Sequence, residues 1–193
     1  MKAIEQYDEA EERLVRITDD SSVLRKRRTD LIGLTEKLEG ERKSRLTTVL
    51  EIVSENFKRV YSRLSDGGNA ELRLENPKEP FTGGLEMWCQ PRGKSSKSKL
   101  SLLSGGEKSM AALALIFAIQ DYEPSPFYYF DEVDQNLDAY NAEHIARLCR
   151  LRSQRAQFIM VTLRKVSLQL ADHHIGITHA GDGCSRRITD FDR

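Results

Sequence analysis

A short glycine segment directly ahead of an apolar helix is the first place where this sequence can do chemistry. The segment reads Leu103-Ser104-Gly105-Gly106-Glu107-Lys108-Ser109. Two glycines let a backbone approach a ligand closely, a serine adds a hydroxyl, and the free N–H groups at a helix start favour an anion. The segment therefore predicts an anion site, and a plain Ser-Gly-Gly turn that caps a helix is the alternative.

A second candidate site is an apolar strand that ends in two carboxylates. The strand is predicted from Phe127 to Phe130, and Asp131 and Glu132 follow it directly. In nucleotide hydrolases an Asp at such a strand end serves the Mg²⁺ shell, and an adjacent Glu can polarise the attacking water. An acidic strand-to-loop turn is the alternative, but the order and distance relative to the glycine segment favour the hydrolase site.

The run Gly93-Lys94-Ser95 looks like the end of a phosphate-binding loop, G-x-x-x-x-G-K-[ST]. The first glycine of that pattern would have to be residue 88, which is Trp88. No helix pattern follows Ser95, so the run is rejected as a phosphate-binding loop. The full sequence holds no other match to the pattern, and the loop that cradles phosphates is therefore missing.

The elements that position these residues alternate between helix and strand. Helices are predicted at 42–64, 109–121 and 139–152, and strands around Leu72 to Leu74, Leu85 to Cys89, 127–130, 157–161, 174–178 and 185–188. Such alternation predicts an α/β layer with a mostly parallel sheet and flanking helices.

The first part of the chain, 1–45, is almost entirely polar, with sparse apolar positions. One heptad column recurs through it: Ala3, Ala10, Ile17, Leu24, Leu31 and Leu38. This spacing predicts one seam of a coiled coil. The polar run from Thr18 to Ser22 predicts a helix break with capping residues. A solvated helical hairpin is the alternative.

Composition limits the class of protein further. The 193 residues are 39% hydrophobic and 31% charged, with a formal net charge of zero, so charge alone predicts neither nucleic-acid nor membrane binding. No apolar run approaches the roughly 20 residues that a membrane helix needs. The cysteines Cys89, Cys149 and Cys184 are widely spaced, which indicates reduced thiols in a cytoplasmic or nuclear protein.

Taken together, these residues resemble the SMC family of chromosome-organising ATPases, which belong to the ABC-type superfamily. The most specific stretches are LSGGEKSMAALALIFAIQ and PSPFYYFDEVDQNLD, and GGLEMWCQPRGK and AQFIMVTLR are also similar. The resemblance implies a C-terminal half of an ABC-type ATPase head at 46–193, preceded by a coiled-coil stub at 1–45. The chain is then expected to be a piece of a longer protein.

The resemblance also implies roles for individual residues. The signature segment, residues 103–107, would contact the γ-phosphate of ATP held by a second head: Leu103, Ser104, Gly105, Gly106 and Glu107. Asp131 would serve Mg²⁺, Glu132 would be the catalytic base, and Asp138 would be the D-loop residue that reaches across the dimer interface. Leu163 occupies the place of the switch histidine of ABC transporters, which weakens a transporter interpretation because leucine cannot hydrogen-bond a phosphate.

By the same resemblance, the implied partners are the N-terminal half of the head, a second SMC head, a kleisin subunit and DNA in the full complex. ATP hydrolysis is expected only with the other half present, and a nucleoid or chromosome location is implied. A basic cluster, Arg25 to Arg28, is the candidate for local DNA contact, with a solvated helix face as the alternative. A split-head repair ATPase, such as a RecN-type protein, and a non-catalytic kleisin-binding module are the rival functions.

Overall fold

The computed structural model describes residues 2–181 and 183–188. The helices are α1 (Lys2–Leu64), α2 (Gly105–Tyr122), α3 (Ala139–Arg152) and α4 (Lys165–Gln169), with a 3-10 turn at Leu100–Leu102. The strands are β1 (Asn69–Leu74), β2 (Leu85–Gln90), β3 (Ser98–Lys99), β4 (Phe127–Asp131), β5 (Gln157–Val161), β6 (Gly176–His179) and β7 (Ser185–Ile188). The side chain of Ala3 and the last residues of the predicted 46–193 domain lie outside the described residues.

The chain divides into two compact units, Met1–Val49 and Leu50–Arg193. In the first unit the heptad residues Ile17, Leu24, Leu31 and Leu38 are between 55% and 63% exposed. An apolar column that remains in water on a single helix is the pattern of a coiled-coil strand without its partner helix. The predicted boundary at 45/46 remains a prediction.

The predicted helix break from Thr18 to Ser22 is wrong, because α1 runs through it without interruption. Thr18 Oγ1 donates to the carbonyl oxygen of Leu14 at 2.7 Å, and Ser22 Oγ donates to that of Asp19 at 2.7 Å. Side chains that hydrogen-bond back onto their own helix do not cap a new one. The polar run is therefore a solvated stretch of one helix.

The core of the second unit includes the last turns of α1, and it packs α2 against β4 and β5. Phe57, Tyr61 and Leu64 of α1 are fully buried, as is Phe117 of α2. Phe117 contacts the ring of Phe130 edge-on, with 5.8 Å between the ring centroids. Aromatic contacts of this kind anchor the carboxylate-bearing strand β4 to the helix that follows the glycine segment.

The expectation of a mostly parallel sheet is wrong for the described residues. Strands β4 and β5 pair in parallel, whereas β1 with β2, β2 with β3, and β6 with β7 pair antiparallel. The strands that alternate with helices do make the parallel pair, as predicted. The remaining strands are hairpin-type neighbours separated by short loops, and such connections allow only antiparallel pairing.

The parallel pair β4–β5 is covered on one face only. Residues in register share a face, so Tyr128, Phe130, Phe158 and Met160 lie on the side that packs into the core. The other face carries exposed apolar residues: Phe127, Tyr129, Ile159 and Val161. Asp131 lies on this second face, in register with Val161. Parallel sheets are usually covered on both faces, so this face lacks a covering layer within the described residues.

Among the described residues, no helix is both long enough and apolar enough to cross a membrane.

Candidate functional site

The signature segment forms the N-terminus of α2, with Ser104 as the N-cap residue. The Ser104 side chain accepts a hydrogen bond from the Glu107 N–H at 3.4 Å, and a Glu107 carboxylate oxygen accepts one from the Ser104 N–H at 2.9 Å. This reciprocal pair is a capping box, which fixes a helix start. Ser104 and Gly105 are exposed, so the hydroxyl proton of Ser104 and the helix start are available to an anion.

Leu103 has a different place from the other signature residues. Its side chain is 4% exposed, so it anchors the segment in the core and leaves only its backbone near the helix start. The hydrophobic residue immediately before the N-cap is where a helix start is commonly fixed to its surroundings. Leu103 therefore positions the segment and does not present a side chain to a ligand.

Lys94, the lysine of the rejected phosphate-loop pattern, is held against the signature segment. Its Nζ lies 2.8 Å from a carboxylate oxygen of Glu107. Burial raises the pKa of Glu107, but the hydrogen bonds from Lys94 and Ser104 outweigh it and hold the pKa below its usual value of 4.5. Lys94 lies in a turn, since its N–H donates to the carbonyl of Pro91 at 3.1 Å. The next element after Lys94 is strand β3 (Ser98–Lys99) and not a helix, and the rejection of a phosphate-binding loop remains a prediction.

The signature segment and the loop after β4 meet in one cavity of about 490 Å³. Its lining includes Ser104, Gly106 and Glu107 from the segment, and Asn136 and Asp138 from the loop. A Cβ atom added at Gly106 would lie 3.0 Å from the Asn136 carbonyl oxygen. Glycine at this position thus lets the loop backbone approach the helix start closely.

The rim of the same cavity carries a basic side chain that the sequence interpretation did not assign. Arg92 lines the cavity and pairs with the carboxylate of Asp66, at the end of α1. Tyr140 OH donates to the same carboxylate at 3.4 Å. Nothing in the sequence pattern marks this contact, because Asp66 and Arg92 lie on separate loops that meet only in the fold.

Asp138 begins α3 as its N-cap residue. One carboxylate oxygen accepts from the Asn141 N–H at 2.8 Å, and the other accepts from the Asn141 side-chain amide at 2.9 Å. The residue is exposed, and carboxylate oxygens retain further acceptor sites after one bond each. Asp138 is therefore held in place by its own helix and still accessible beside the signature segment.

Asp131 and Glu132 form the carboxylate edge, at the end of β4. Both are exposed, and within the described residues no hydrogen bond or ion pair engages either carboxylate. The Glu132 N–H donates to the Val161 carbonyl at 3.0 Å, which extends the β4–β5 ladder. Neither residue lines the cavity of the signature segment, so the structure does not bring all predicted site residues into one pocket.

Glu132 has a backbone φ of 49°, in the left-handed region that residues with a side chain rarely adopt. Such a conformation costs on the order of 1–2 kcal/mol and persists where surrounding contacts enforce it. It lies at the junction of β4 and the following loop. A backbone held in this way is typical of residues whose side-chain direction matters for function.

Leu163 follows β5 and is 91% exposed. Its neighbours, by contrast, make specific bonds. Thr162 Oγ1 donates to a carboxylate oxygen of Asp134 at 2.7 Å, and the Arg164 guanidinium donates to the Gln135 carbonyl at 3.1 Å. The switch position therefore presents an apolar side chain from a segment that is bonded to the loop after β4.

The donor set fits ATP with Mg²⁺ in part. Ser104 and the start of α2 offer donors to an anion, and Asp131 offers a carboxylate for Mg²⁺. Among the described residues, no group of three or more histidine, cysteine, aspartate or glutamate side chains could hold a metal ion. Mg²⁺ favours six oxygen ligands, several of them water and phosphate, so Asp131 would share the ion with ligands of that kind.

Comparison with known families gives a match over most of the chain. Residues 6–186 match the family model described as "RecF/RecN/SMC N terminal domain". That description names an N-terminal domain, whereas the motifs led us to expect the C-terminal half of a head.

A similar curated protein is the chromosome partition protein Smc of Pyrococcus furiosus, with 40% identity over 189 residues. The match covers 98% of this chain but only 16% of that protein. The chain therefore spans a small fraction of the length of this relative.

Two solved structures are similar to the chain. One is the Smc head domain of Pyrococcus furiosus with an extended coiled coil, bound to the C-terminal domain of ScpA, with a TM-score of 0.80 and 38% identity. That match covers 97% of this chain and 46% of the other. The second, described as "Structural biochemistry of ATP-driven dimerization and DNA stimulated activation of SMC ATPases", has a TM-score of 0.70 and 42% identity, covering 76% of this chain and 88% of the other.

Proposed function

The chain belongs to the RecF/RecN/SMC family, and from that premise we propose that it is the signature-bearing, C-terminal half of an SMC ATPase head. In this proposal it binds and hydrolyses ATP with Mg²⁺ only together with a half that supplies the phosphate-binding loop. Two such heads would then engage around ATP to organise and partition chromosomes.

The observation that carries this proposal is the separation of the candidate residues into two groups. The signature segment and Asp138 share one cavity, whereas Asp131 and Glu132 lie at the end of β4, outside its lining. A site that one molecule completes by itself would need both groups around one nucleotide. Two separate groups fit a shared site, in which each head gives its carboxylates to its own ATP and its signature segment to the ATP of the partner.

The uncovered face of the β4–β5 sheet supports the half-head assignment. Phe127 and Tyr129 of β4 are 58% and 57% exposed, and Asp131 lies on the same face. Covering this face would remove apolar surface from water, which contributes roughly 25 cal/mol per Å². We assign the other half of the head as the covering layer, which would also enclose Asp131. The absence of a phosphate-binding loop from the full sequence points the same way.

The roles proposed for the residues of this chain follow from their positions. The Ser104 hydroxyl and the N–H groups at the start of α2 would bind the terminal phosphate that the partner head presents. Asp131 would hold the Mg²⁺ shell, and Glu132 would orient and deprotonate the attacking water. Asp138 would reach the opposite head. When bound, ATP would supply the phosphoryl group, and Mg²⁺ would neutralise the charge that develops on it.

The exposed heptad column of the first unit supports a further assignment. We assign its partner as the other helix of an antiparallel coiled-coil arm, contributed by the longer protein. The basic residues Arg25 to Arg28 are exposed and are candidates for salt-dependent contact with DNA phosphates.

The larger assembly is proposed from the relatives. The Pyrococcus furiosus head is described as bound to the C-terminal domain of ScpA, and the second structure is described by ATP-driven dimerisation. We propose that this chain likewise binds a kleisin of the ScpA type and forms head dimers on chromosomes. The high similarity to proteins called Smc favours this function over a RecN-type repair ATPase.

The test of the half-head assignment is nucleotide binding by the chain with and without the other half. Isothermal titration with millimolar ATP should show no binding to the chain alone, with circular dichroism to establish that it is folded. The head formed with the loop-bearing half of the same protein should bind ATP. A clear micromolar affinity of the folded chain alone would contradict the assignment.

A further inference from the structure

A buried carboxylate lies inside the loop that follows the carboxylate edge. Asp134 is 2% exposed, and one of its oxygens accepts hydrogen bonds from Thr162 Oγ1 at 2.7 Å and Ser167 Oγ at 2.6 Å. Within the described residues it forms no ion pair. Burying a carboxylate without an opposite charge beside it costs free energy. The two hydrogen bonds from hydroxyl groups offset part of that cost and fix the position of Asp134.

Arg164 binds the same loop from the other side. Its guanidinium donates to the backbone carbonyl of Gln135 at 3.1 Å and also to that of Leu137. Its backbone N–H donates to Thr162 Oγ1 at 3.0 Å. Thr162 therefore gives its one hydroxyl proton to Asp134 and accepts from Arg164, which makes it the centre of the network. We call Asp134, Thr162, Arg164 and Ser167 the clasp.

The clasp holds the loop between two candidate functional positions. On one side is Glu132, whose backbone has a φ of 49° and whose carbonyl accepts from the Gln135 N–H at 3.0 Å. On the other side are Asn136, which approaches Gly106 of the signature segment, and Asp138. A loop bonded at Asp134, Gln135 and Leu137 has little freedom to move either end independently.

The clasp also lies directly beside the switch position. Thr162 and Arg164 flank Leu163, which is 91% exposed and has no hydrogen-bonding side chain. The segment 162–167 therefore holds the loop through the side chains of Thr162, Arg164 and Ser167, and not through the residue at the switch position.

We propose that the clasp positions Glu132 for water activation and couples it to the signature segment through the loop. This inference rests on the proposed function, in which Glu132 is the base. None of the clasp residues needs to touch the nucleotide, so they are positioning residues. Loss of the clasp should leave nucleotide affinity intact and reduce turnover, because a base displaced by about 1 Å loses much of its effect.

The test uses the complete head with Thr162→Val and Thr162→Ser. Valine has nearly the same shape and removes both hydrogen bonds, whereas serine keeps the hydroxyl. Thr162→Val should lower kcat about tenfold or more and leave KM for ATP within about twofold, and Thr162→Ser should restore kcat to within about twofold of wild type. A purely structural role would lower the melting temperature and leave the kcat of the folded fraction unchanged, which would overturn the proposal.

Arg164→Met provides a second test if Thr162→Val does not fold, because Arg164 is only partly buried. It should show the same fall in kcat at unchanged KM, and Arg155→Met, at an exposed arginine on the surface, is its control and should match wild type. An unchanged kcat for folded Arg164→Met would overturn the proposal.

The outcomes separate this inference from the proposed function. If the wild-type head hydrolyses ATP and Glu132→Gln stops it while the clasp variants remain fully active, only the clasp proposal fails. If the wild-type head neither binds nor hydrolyses ATP, the proposed function fails and the clasp proposal fails with it.

Discussion

Around the signature segment the chain itself supplies the contacts that hold the helix start in place. Ser104 and Glu107 form a reciprocal capping box, Lys94 pairs with Glu107, and Asn136 lies against Gly106. At the end of β4 the situation is reversed, because Asp131 and Glu132 are exposed and their strand pair has an apolar face in water.

This difference indicates which half of the chemistry is preformed. The signature segment binds the ligand of another molecule in our proposal, so it must be ready before that molecule arrives, and preorganisation lowers the cost of such an encounter. In the same proposal, the carboxylates act on a nucleotide that the other half of the head brings. Their side chains need their final partners only after the uncovered sheet face has been closed.

The largest effect is expected at the carboxylate edge. Glu132→Gln keeps the side-chain shape and removes the proposed base, so hydrolysis by the complete head should fall by about 10²- to 10⁴-fold. ATP-bound dimers should accumulate, which size-exclusion chromatography with light scattering would detect. Glu123→Gln is a matched control, since Glu123 is also exposed and precedes the same strand. Turnover within about twofold of wild type would show that Glu132 is not the base.

Ser104→Arg tests whether the signature segment acts on the nucleotide of a second head. The bulky side chain would occupy the exposed helix start, where the partner's phosphate must enter. Hydrolysis should therefore be at least about tenfold slower, which corresponds to an activation free energy about 1.4 kcal/mol higher. A fluorescent ATP analogue should still bind the single head with unchanged affinity. Loss of that binding in a folded head would mean that Ser104 serves the nucleotide of its own head.

The sequence was sufficient for those parts of the site that depend on local pattern. The run before Asp131 predicted β4, and the apolar stretch predicted a helix over 109–121, because strand and helix signals act over a few residues. The helix begins four residues earlier than predicted, at Gly105. The clasp was not predictable, since Asp134 and Thr162 are distant in sequence and bond only after β4 and β5 pair. The predicted break at Thr18 failed for a local reason. A hydroxyl can hydrogen-bond a carbonyl of its own helix as readily as cap a new helix.

Two neighbouring glycines allow a finer test of how tightly the signature side is built. Gly105→Ala meets no atom within 4 Å, whereas Gly106→Ala would place its Cβ 3.0 Å from the Asn136 carbonyl oxygen. Alanine alone should stabilise a helix by roughly 0.5–1 kcal/mol relative to glycine. We expect Gly105→Ala to be more stable than wild type by about that amount. Gly106→Ala should be about 1 kcal/mol less stable than Gly105→Ala.

Urea unfolding of the two variants, measured side by side, checks this expectation. Equal unfolding free energies would mean that the loop carbonyl moves away without cost, and that the contact between the loop and the signature segment is loose.

The smallest effect concerns the ion pair between Lys94 and Glu107, which is half-exposed at the lysine. Glu107→Gln keeps the capping box, because glutamine can also accept from the Ser104 N–H. It removes only the charge. Since exposed pairs contribute about 0.2–1 kcal/mol, wild type should be more stable at pH 7 by about that amount. The double variant with Lys94→Met shows whether this stability comes from the ion pair. If it does, Glu107→Gln should lower the free energy of unfolding less in the Lys94→Met background than in wild type.

The pH dependence of this difference has a definite sign. The folded-state pKa of Glu107 lies below its usual value of 4.5, so the folded state favours the ionised form and its contribution is fully present above pH 4.5. As the pH falls through the lowered pKa, the carboxylate takes up a proton and the contribution is lost. The unfolding curves of wild type and Glu107→Gln should therefore differ at pH 7 and converge as the pH falls below the lowered pKa of Glu107. A difference that stayed constant across this range would show that the glutamine disturbs the capping box itself, and that the charge of Glu107 does not stabilise the signature segment.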